Sequence, residues 1–167
     1  KEVSAGFESE APGVYDRTRI QIADMVRTCR AAGVPILVMP AVPNILDHPV
    51  RPGIDADSWW NTGMAFRDRG DSMPAINALR EALARDAWGL RCNPQIRATI
   101  VGTARGNGGE VLDLWDPMQA RHLGGEDLFA DFCHPSDSGH RVIAELMAEP
   151  VARILKASRI PTAPAFH

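Results

Sequence analysis

The feature that most constrains this fold is a helix followed by a short apolar run in the first third of the chain. From Val14 to Ala32 apolar residues recur at helical spacing, and Gly33 stands where many helices end in a left-handed residue. The next stretch, "VPILVMPAVP", has a continuous apolar centre from Ile36 to Met39. This centre is too short for a buried helix and is typical of a strand covered on both faces. The sequence therefore predicts an α/β fold with parallel strands.

Similar signals predict the other elements. The leading segment "KEVSAGFESEAPG" indicates extended chain, because small and polar residues, Gly and Pro dominate it. Further helices are predicted at about 58–69 and 72–88, and another begins at Pro94 with Asn93 as its N-cap. A last long helix follows Pro135.

One further strand is predicted, in "EVLDLW", ending near Asp113. A buried parallel strand needs a neighbour on each side, and two strands do not complete such a sheet. We therefore expect an incomplete α/β domain, whose missing strands come from outside this sequence or from another chain.

Composition excludes several functions. Hydrophobic residues make up 45% of the 167 residues, which is enough for a core. Lys and Arg number 18 against 21 Asp and Glu, with no basic cluster, so no nucleic-acid partner is predicted. The apolar runs are too short to span a membrane. The three cysteines match no metal spacing with one another or with the histidines, so no metal site is predicted.

The stretch "DFCHPSDSGH", residues 131–140, carries the chemistry. His134 lies just before a Pro and a helix start, so its imidazole is free to face a cleft. Such a histidine can take a proton from a serine, while a nearby carboxylate fixes its tautomer. Asp131, three residues earlier, fits that second role. The alternative is that Asp131 caps a turn and His134 contacts backbone at the helix start; spacing alone does not decide between them.

The block "DLFADFCHPSDSGHRVIAELMAEPV" resembles the final block of the SGNH, or GDSL, hydrolases. "VYDRTRIQIADMVRTCRAAGVPILVMPAVPN" is similar to the preceding helix and strand of that family, and "GGEVLDLWDPM" to its final strand. The resemblance implies a partial three-layer α/β/α, flavodoxin-like domain with few parallel strands, whose missing strands lie upstream of Lys1. It also implies a serine esterase in which Asp131 orients His134, the general base, without metal or cofactor.

The resemblance also implies a serine nucleophile after a strand, in a Gly-Asp-Ser motif. Gly70, Asp71 and Ser72 spell that motif, but the surrounding pattern is helical, so Ser72 is predicted to start a helix. We expect the nucleophile upstream of Lys1 and no activity from this chain alone.

Four parts are expected along the chain. Residues 1–57 and 91–157 form the SGNH-like portions, residues 58–90 resemble a tetratricopeptide-type helical hairpin inserted between them, and residues 158–167 form a tail.

The rival hypothesis is a non-catalytic interaction or structural subunit that docks on a protein partner through a degenerate hydrolase scaffold. A third is a small-molecule binding module that uses the loop from Asn44 to Asp57. For the esterase, the substrate class is an ester of a small molecule, lipid or glycan. A cell-envelope location is compatible with it if an upstream segment carries a signal or anchor.

Overall fold

The computed structural model describes residues 3–50, 55–86 and 91–157. In this part of the chain, the helices and strands follow in the order α1 (Val3–Ala31), β1 (Leu37–Val38), α2 (Ala56–Asp68), α3 (Ser72–Ala84), α4 (Pro94–Gly106), β2 (Glu110–Val111), α5 (Trp115–Leu123) and α6 (Asp137–Ala157). The fold is mixed α/β, as predicted. The second hairpin helix was predicted to run to Trp88, but α3 ends at Ala84 with Arg85 as its C-cap, so the predicted end is wrong. The tail at 158–167 lies outside the described residues.

The two strands form a short parallel sheet. Leu37 pairs with Glu110, and Val38 pairs with Val111. Helices α1 and α4 cover it through a small core in which Val26 and Ala104 pack with Val38. This parallel pairing confirms the predicted α/β class, and in the described residues the sheet has these two strands.

The expectation that Ile36 to Met39 is covered on both faces is wrong. Val38 is buried, but Met39 is exposed. Side chains alternate along a strand, so Met39 faces the side opposite to Val38, where the described residues supply too little cover.

The leading segment is not extended, because α1 already begins at Val3. Glu and Ala in "VSAGFESEA" are good helix formers, and the helix passes through Pro12. The other end of α1 is as predicted: Gly33 has a φ of 68° and closes the helix through hydrogen bonds to its last turn.

Helix α5 was not predicted from the sequence. Its start is stabilised by Asp113, whose Oδ1 accepts the backbone N–H of Trp115 at 3.3 Å. Pro117 is tolerated there because first-turn residues need no intrahelical N–H bond. The helix buries Trp115 and Met118 completely, which places it in the main core.

Helices α2 and α3 form the expected hairpin. Gly63 allows their close approach, since a Cβ there would lie 2.6 Å from Cγ of Leu79. Gly70 makes the turn with a φ of 81°. The hairpin packs on the main core through Ile76, Leu79 and Leu83. Its likeness to a tetratricopeptide repeat stays a prediction.

Within the described residues, no helix is both long enough and apolar enough to traverse a lipid bilayer.

Candidate active site

The Asp131–His134 segment is the tip of a closed loop that precedes α6. Phe129 and Pro135 form an antiparallel bridge, and the Ala130 N–H donates to the His134 carbonyl at 2.8 Å. Ser136 fastens the base of the loop, because its hydroxyl donates to the Asp127 carbonyl at 2.7 Å. The tip therefore has a defined shape although it lies at the surface.

Ser136 is also the residue that starts α6. Its Oγ accepts the Gly139 N–H at 3.1 Å, as an N-cap side chain does. Ser136 is therefore the N-cap of α6, which begins at Asp137.

The Asp131 carboxylate holds both the backbone and the imidazole of His134. Its Oδ1 accepts the N–H groups of Cys133 at 2.8 Å and His134 at 2.7 Å. Its Oδ2 lies 2.7 Å from Nδ1 of His134. The structure therefore brings together the two predicted residues, and both sequence interpretations describe part of it: one oxygen caps the turn while the other contacts the ring.

These contacts keep the carboxyl ionised. The N–H of Cys133, then the N–H and ring of His134, hold the pKa of Asp131 well below its usual range. An ionised carboxylate accepts the proton on Nδ1, which leaves the lone pair on Nε2.

The imidazole is open on its other side. The His134 side chain is 72% exposed, and no described residue hydrogen-bonds its Nε2. The site can therefore accept a proton from a group that approaches from solvent.

Cys133 lies beside the same ring nitrogen and not beside Nε2. Its Sγ is 3.6 Å from Nδ1 of His134. Burial, then the charge of Asp131 and a hydrogen bond to it, raises the pKa of the Cys133 thiol. The thiol is thus disfavoured as a nucleophile. One donor atom each of Asp131, Cys133 and His134 lies within 4.8 Å of the others, an arrangement that sequence spacing did not indicate.

Asn44 anchors this loop from behind, a role that the sequence did not reveal. It is 1% exposed and follows β1 at the carboxyl edge of the sheet. Its backbone N–H donates to the Phe132 carbonyl at 3.0 Å, and its Nδ2 donates to the Asp131 carbonyl at 3.2 Å. The segment after β1 and the Asp131–His134 loop are therefore linked directly.

The anchor continues into a buried polar network. Nδ2 of Asn44 also donates to Asp47, whose carboxylate lies 2.8 Å from Nε2 of His122. Arg91, buried against Asp86 at 2.5 Å, donates to the Asn44 carbonyl. Residues 44–46 are buried, so this part of the loop from Asn44 to Asp57 is packed inside the protein and is not a free ligand-binding surface.

Ser72 lies at the first position of α3, as predicted for a helix start. A groove of about 490 Å³ opens on the hairpin side, but Asp131 and His134 do not line it. Its arginines are already paired, Arg80 with Asp116 and Arg97 with Asp113. Among the described residues that line it, the groove therefore offers no free cation for an anionic ligand.

Comparison of the sequence with known protein families finds similarity to a class of lipases and acyl hydrolases. The model of the GDSL-like Lipase/Acylhydrolase family matches residues 7–142, which include both strands and the Asp131–His134 loop. The chain belongs to this family. Neither the curated proteins nor the solved structures gave a match.

Proposed function

We propose that this chain supplies the histidine and aspartate of a serine acyl hydrolase. The observation that supports this most strongly is the Asp131–His134 pair: an ionised carboxylate 2.7 Å from Nδ1 and an exposed Nε2 without a described partner. This is the arrangement that general-base catalysis by histidine requires.

In the proposed reaction, a serine hydroxyl attacks the ester carbonyl and passes its proton to Nε2 of His134. The carboxylate of Asp131 stabilises the imidazolium that forms. The imidazolium then protonates the departing alkoxide, which leaves an acyl-serine. Nε2 next takes a proton from water, and the hydroxide attacks the acyl group. The imidazolium then returns its proton to the departing serine oxygen as the acid is released, which restores the free serine and the neutral ring. No metal or cofactor takes part.

We infer that the serine comes from a segment outside these 167 residues. Among the serines whose side chains are described, none hydrogen-bonds His134. Ser72 starts a helix, and the Ser136 hydroxyl is engaged as the α6 N-cap. Alone, the chain is therefore expected to be inactive. In this proposal, residues 58–90 are an insertion between the two hydrolase portions.

The surface around α1 and β1 supports an additional segment. Ile20 and Met25 of α1 are 60% and 43% exposed, and Val34 and Met39, which flank β1, are also exposed. Large exposed apolar side chains beside a two-stranded sheet are typical of a surface that another element covers. The same observation favours the second candidate function, a non-catalytic subunit that docks on a protein partner.

A fluorophosphonate probe tests the proposal, because it labels an activated serine. We expect the full product of the gene to be labelled on a serine outside residues 1–167, and the isolated chain to remain unlabelled. His134→Ala should slow labelling by about 10²–10⁴-fold. His140→Ala is the matched control, since His140 is an exposed histidine on α6 and should label at the unchanged rate.

Two results would overturn the proposal. Labelling of Ser72 in the isolated chain would place the nucleophile inside it. Absence of labelling in the full gene product would refute the esterase proposal, including its ester substrate, and would favour the non-catalytic subunit.

A further inference from the structure

Three side chains of different chemistry converge on one ring nitrogen. Nδ1 of His134 lies 2.7 Å from Oδ2 of Asp131 and 3.6 Å from Sγ of Cys133. The three donor atoms lie within 4.8 Å of one another. Imidazole, thiolate and carboxylate are the ligands that Zn²⁺ uses in proteins.

Two of the separations between these atoms can be compared with those of a tetrahedral zinc site. Zn–S and Zn–N bonds of about 2.3 and 2.05 Å at a tetrahedral angle separate sulfur and nitrogen by about 3.6 Å. The distance from Sγ of Cys133 to Nδ1 of His134 already has this value. The corresponding N···O separation is about 3.3 Å, so Asp131 would move by roughly 0.6 Å.

The backbone holds the three residues in place for a metal. Oδ1 of Asp131 is fixed by the N–H groups of Cys133 and His134, while Oδ2 contacts the His134 ring. The nearby Arg91 guanidinium repels a bound cation only weakly, because its positive charge is paired with the Asp86 carboxylate. His134 is exposed, so water can fill the fourth position.

We propose that Asp131, Cys133 and His134 form a binding site for a thiophilic divalent cation, with Zn²⁺ as the best fit, and that the bound cation holds Nδ1. A metal on Nδ1 excludes a proton there, so a neutral ring carries its proton on Nε2. Binding thus releases the Cys133 thiol proton to solvent and moves the ring proton from Nδ1 to Nε2. On the proposed function, this form of His134 cannot accept the serine proton, and zinc is an inhibitor.

Cobalt(II) titration of the 167-residue chain tests the site without any catalytic assay. Thiolate coordination gives a charge-transfer band in the near ultraviolet, and Zn²⁺ should remove the band by displacement. Cys133→Ser should abolish it, and His134→Ala should weaken cobalt binding by at least about tenfold. Cys29→Ser is the matched control, because Cys29, like Cys133, is a free and half-buried cysteine but lies in α1. This variant should keep the band.

A long-range ¹H–¹⁵N spectrum with Zn²⁺ then reports the ring, and we expect a proton on Nε2 of His134. A missing cobalt–thiolate band, a band that survives Cys133→Ser, or a zinc-bound ring with its proton on Nδ1 would overturn the inference. Because these readouts need no hydrolysis, the metal site can stand while the esterase proposal fails. The esterase proposal can equally stand if no metal binds.

Discussion

Gly139→Ala should disrupt the active-site loop by moving α6 away from it. A Cβ at residue 139 would lie 2.0 Å from the Leu128 carbonyl oxygen and 3.0 Å from Cβ of Pro135. The carbonyl oxygen is backbone and also accepts the Ser136 N–H at 3.0 Å. Relief of the clash therefore requires the helix start and the base of the loop to separate by about 1 Å, since carbon–oxygen contacts below about 3 Å are repulsive.

The magnitude follows from three opposing effects. Overpacking against backbone costs about 1–3 kcal/mol, and loss of the Ser136–Leu128 hydrogen bond costs about 1 kcal/mol. Replacing Gly by Ala inside a helix returns about 0.5–1 kcal/mol. The free energy of unfolding should therefore fall by about 2 kcal/mol, roughly a 30-fold change in the folding equilibrium.

Urea denaturation followed by far-ultraviolet circular dichroism measures this change. Gly102→Ala is the matched control, because Gly102 is a glycine within α4 and a Cβ there would meet nothing within 4 Å. It should stabilise the protein by about 0.5–1 kcal/mol. If Gly139→Ala were as stable as the wild type, or if the two variants shifted in the same direction, the packing argument would be refuted.

Three further predictions concern groups behind or beside the loop. Burial raises the pKa of the Cys92 thiol to about 11, so mass spectrometry after iodoacetamide treatment at pH 8 should find Cys92 unmodified in the folded chain and modified in urea. Asn44→Ala removes a buried side chain that bonds Asp47 and the Asp131 carbonyl, and should lower the free energy of unfolding by about 2–3 kcal/mol, whereas exposed Asn77→Ala should change it by less than about 0.5 kcal/mol. Burial acts to raise the pKa of Asp47, but hydrogen bonds from Asn44 and His122 and the charge of His122 outweigh it, so the pKa lies below 3.8. The ionised Asp47 carboxylate therefore stabilises the fold above pH 3.8, and this stabilisation is lost as the pH falls through the lowered pKa. The free energy of unfolding of Asp47→Asn, measured across this pH range, should therefore be closest to that of the wild type in the most acid buffers.

Much of the fold could be predicted because its signals are local. The Asn93 cap, the Gly33 helix end and the Gly70 turn each depend on the chemistry of one residue, and each lies where the sequence placed it. Helix α5 was missed because Asp113 stabilises its start through a side-chain contact instead of through apolar periodicity. The prediction that the leading segment is extended was wrong because Gly and Pro lower the helix propensity of a segment without excluding a helix.

The site could be predicted only in part. Asp131 and His134 are three residues apart, so their contact is local and the sequence could indicate it. The Asn44 anchor joins residues 87 positions apart, and no periodicity reports such a contact. The convergence of Cys133 on Nδ1 depends on the shape of the loop, which is fixed by backbone bonds that sequence spacing does not encode.

The tautomer of His134 tests the central claim most directly. In a long-range ¹H–¹⁵N spectrum of the metal-free chain at a pH where the ring is neutral, we predict a proton on Nδ1 and a bare Nε2. Asp131→Asn should shift the proton to Nε2, because its amide can donate to Nδ1. A wild-type ring with its proton on Nε2, or a spectrum that Asp131→Asn leaves unchanged, would contradict a general base held by Asp131.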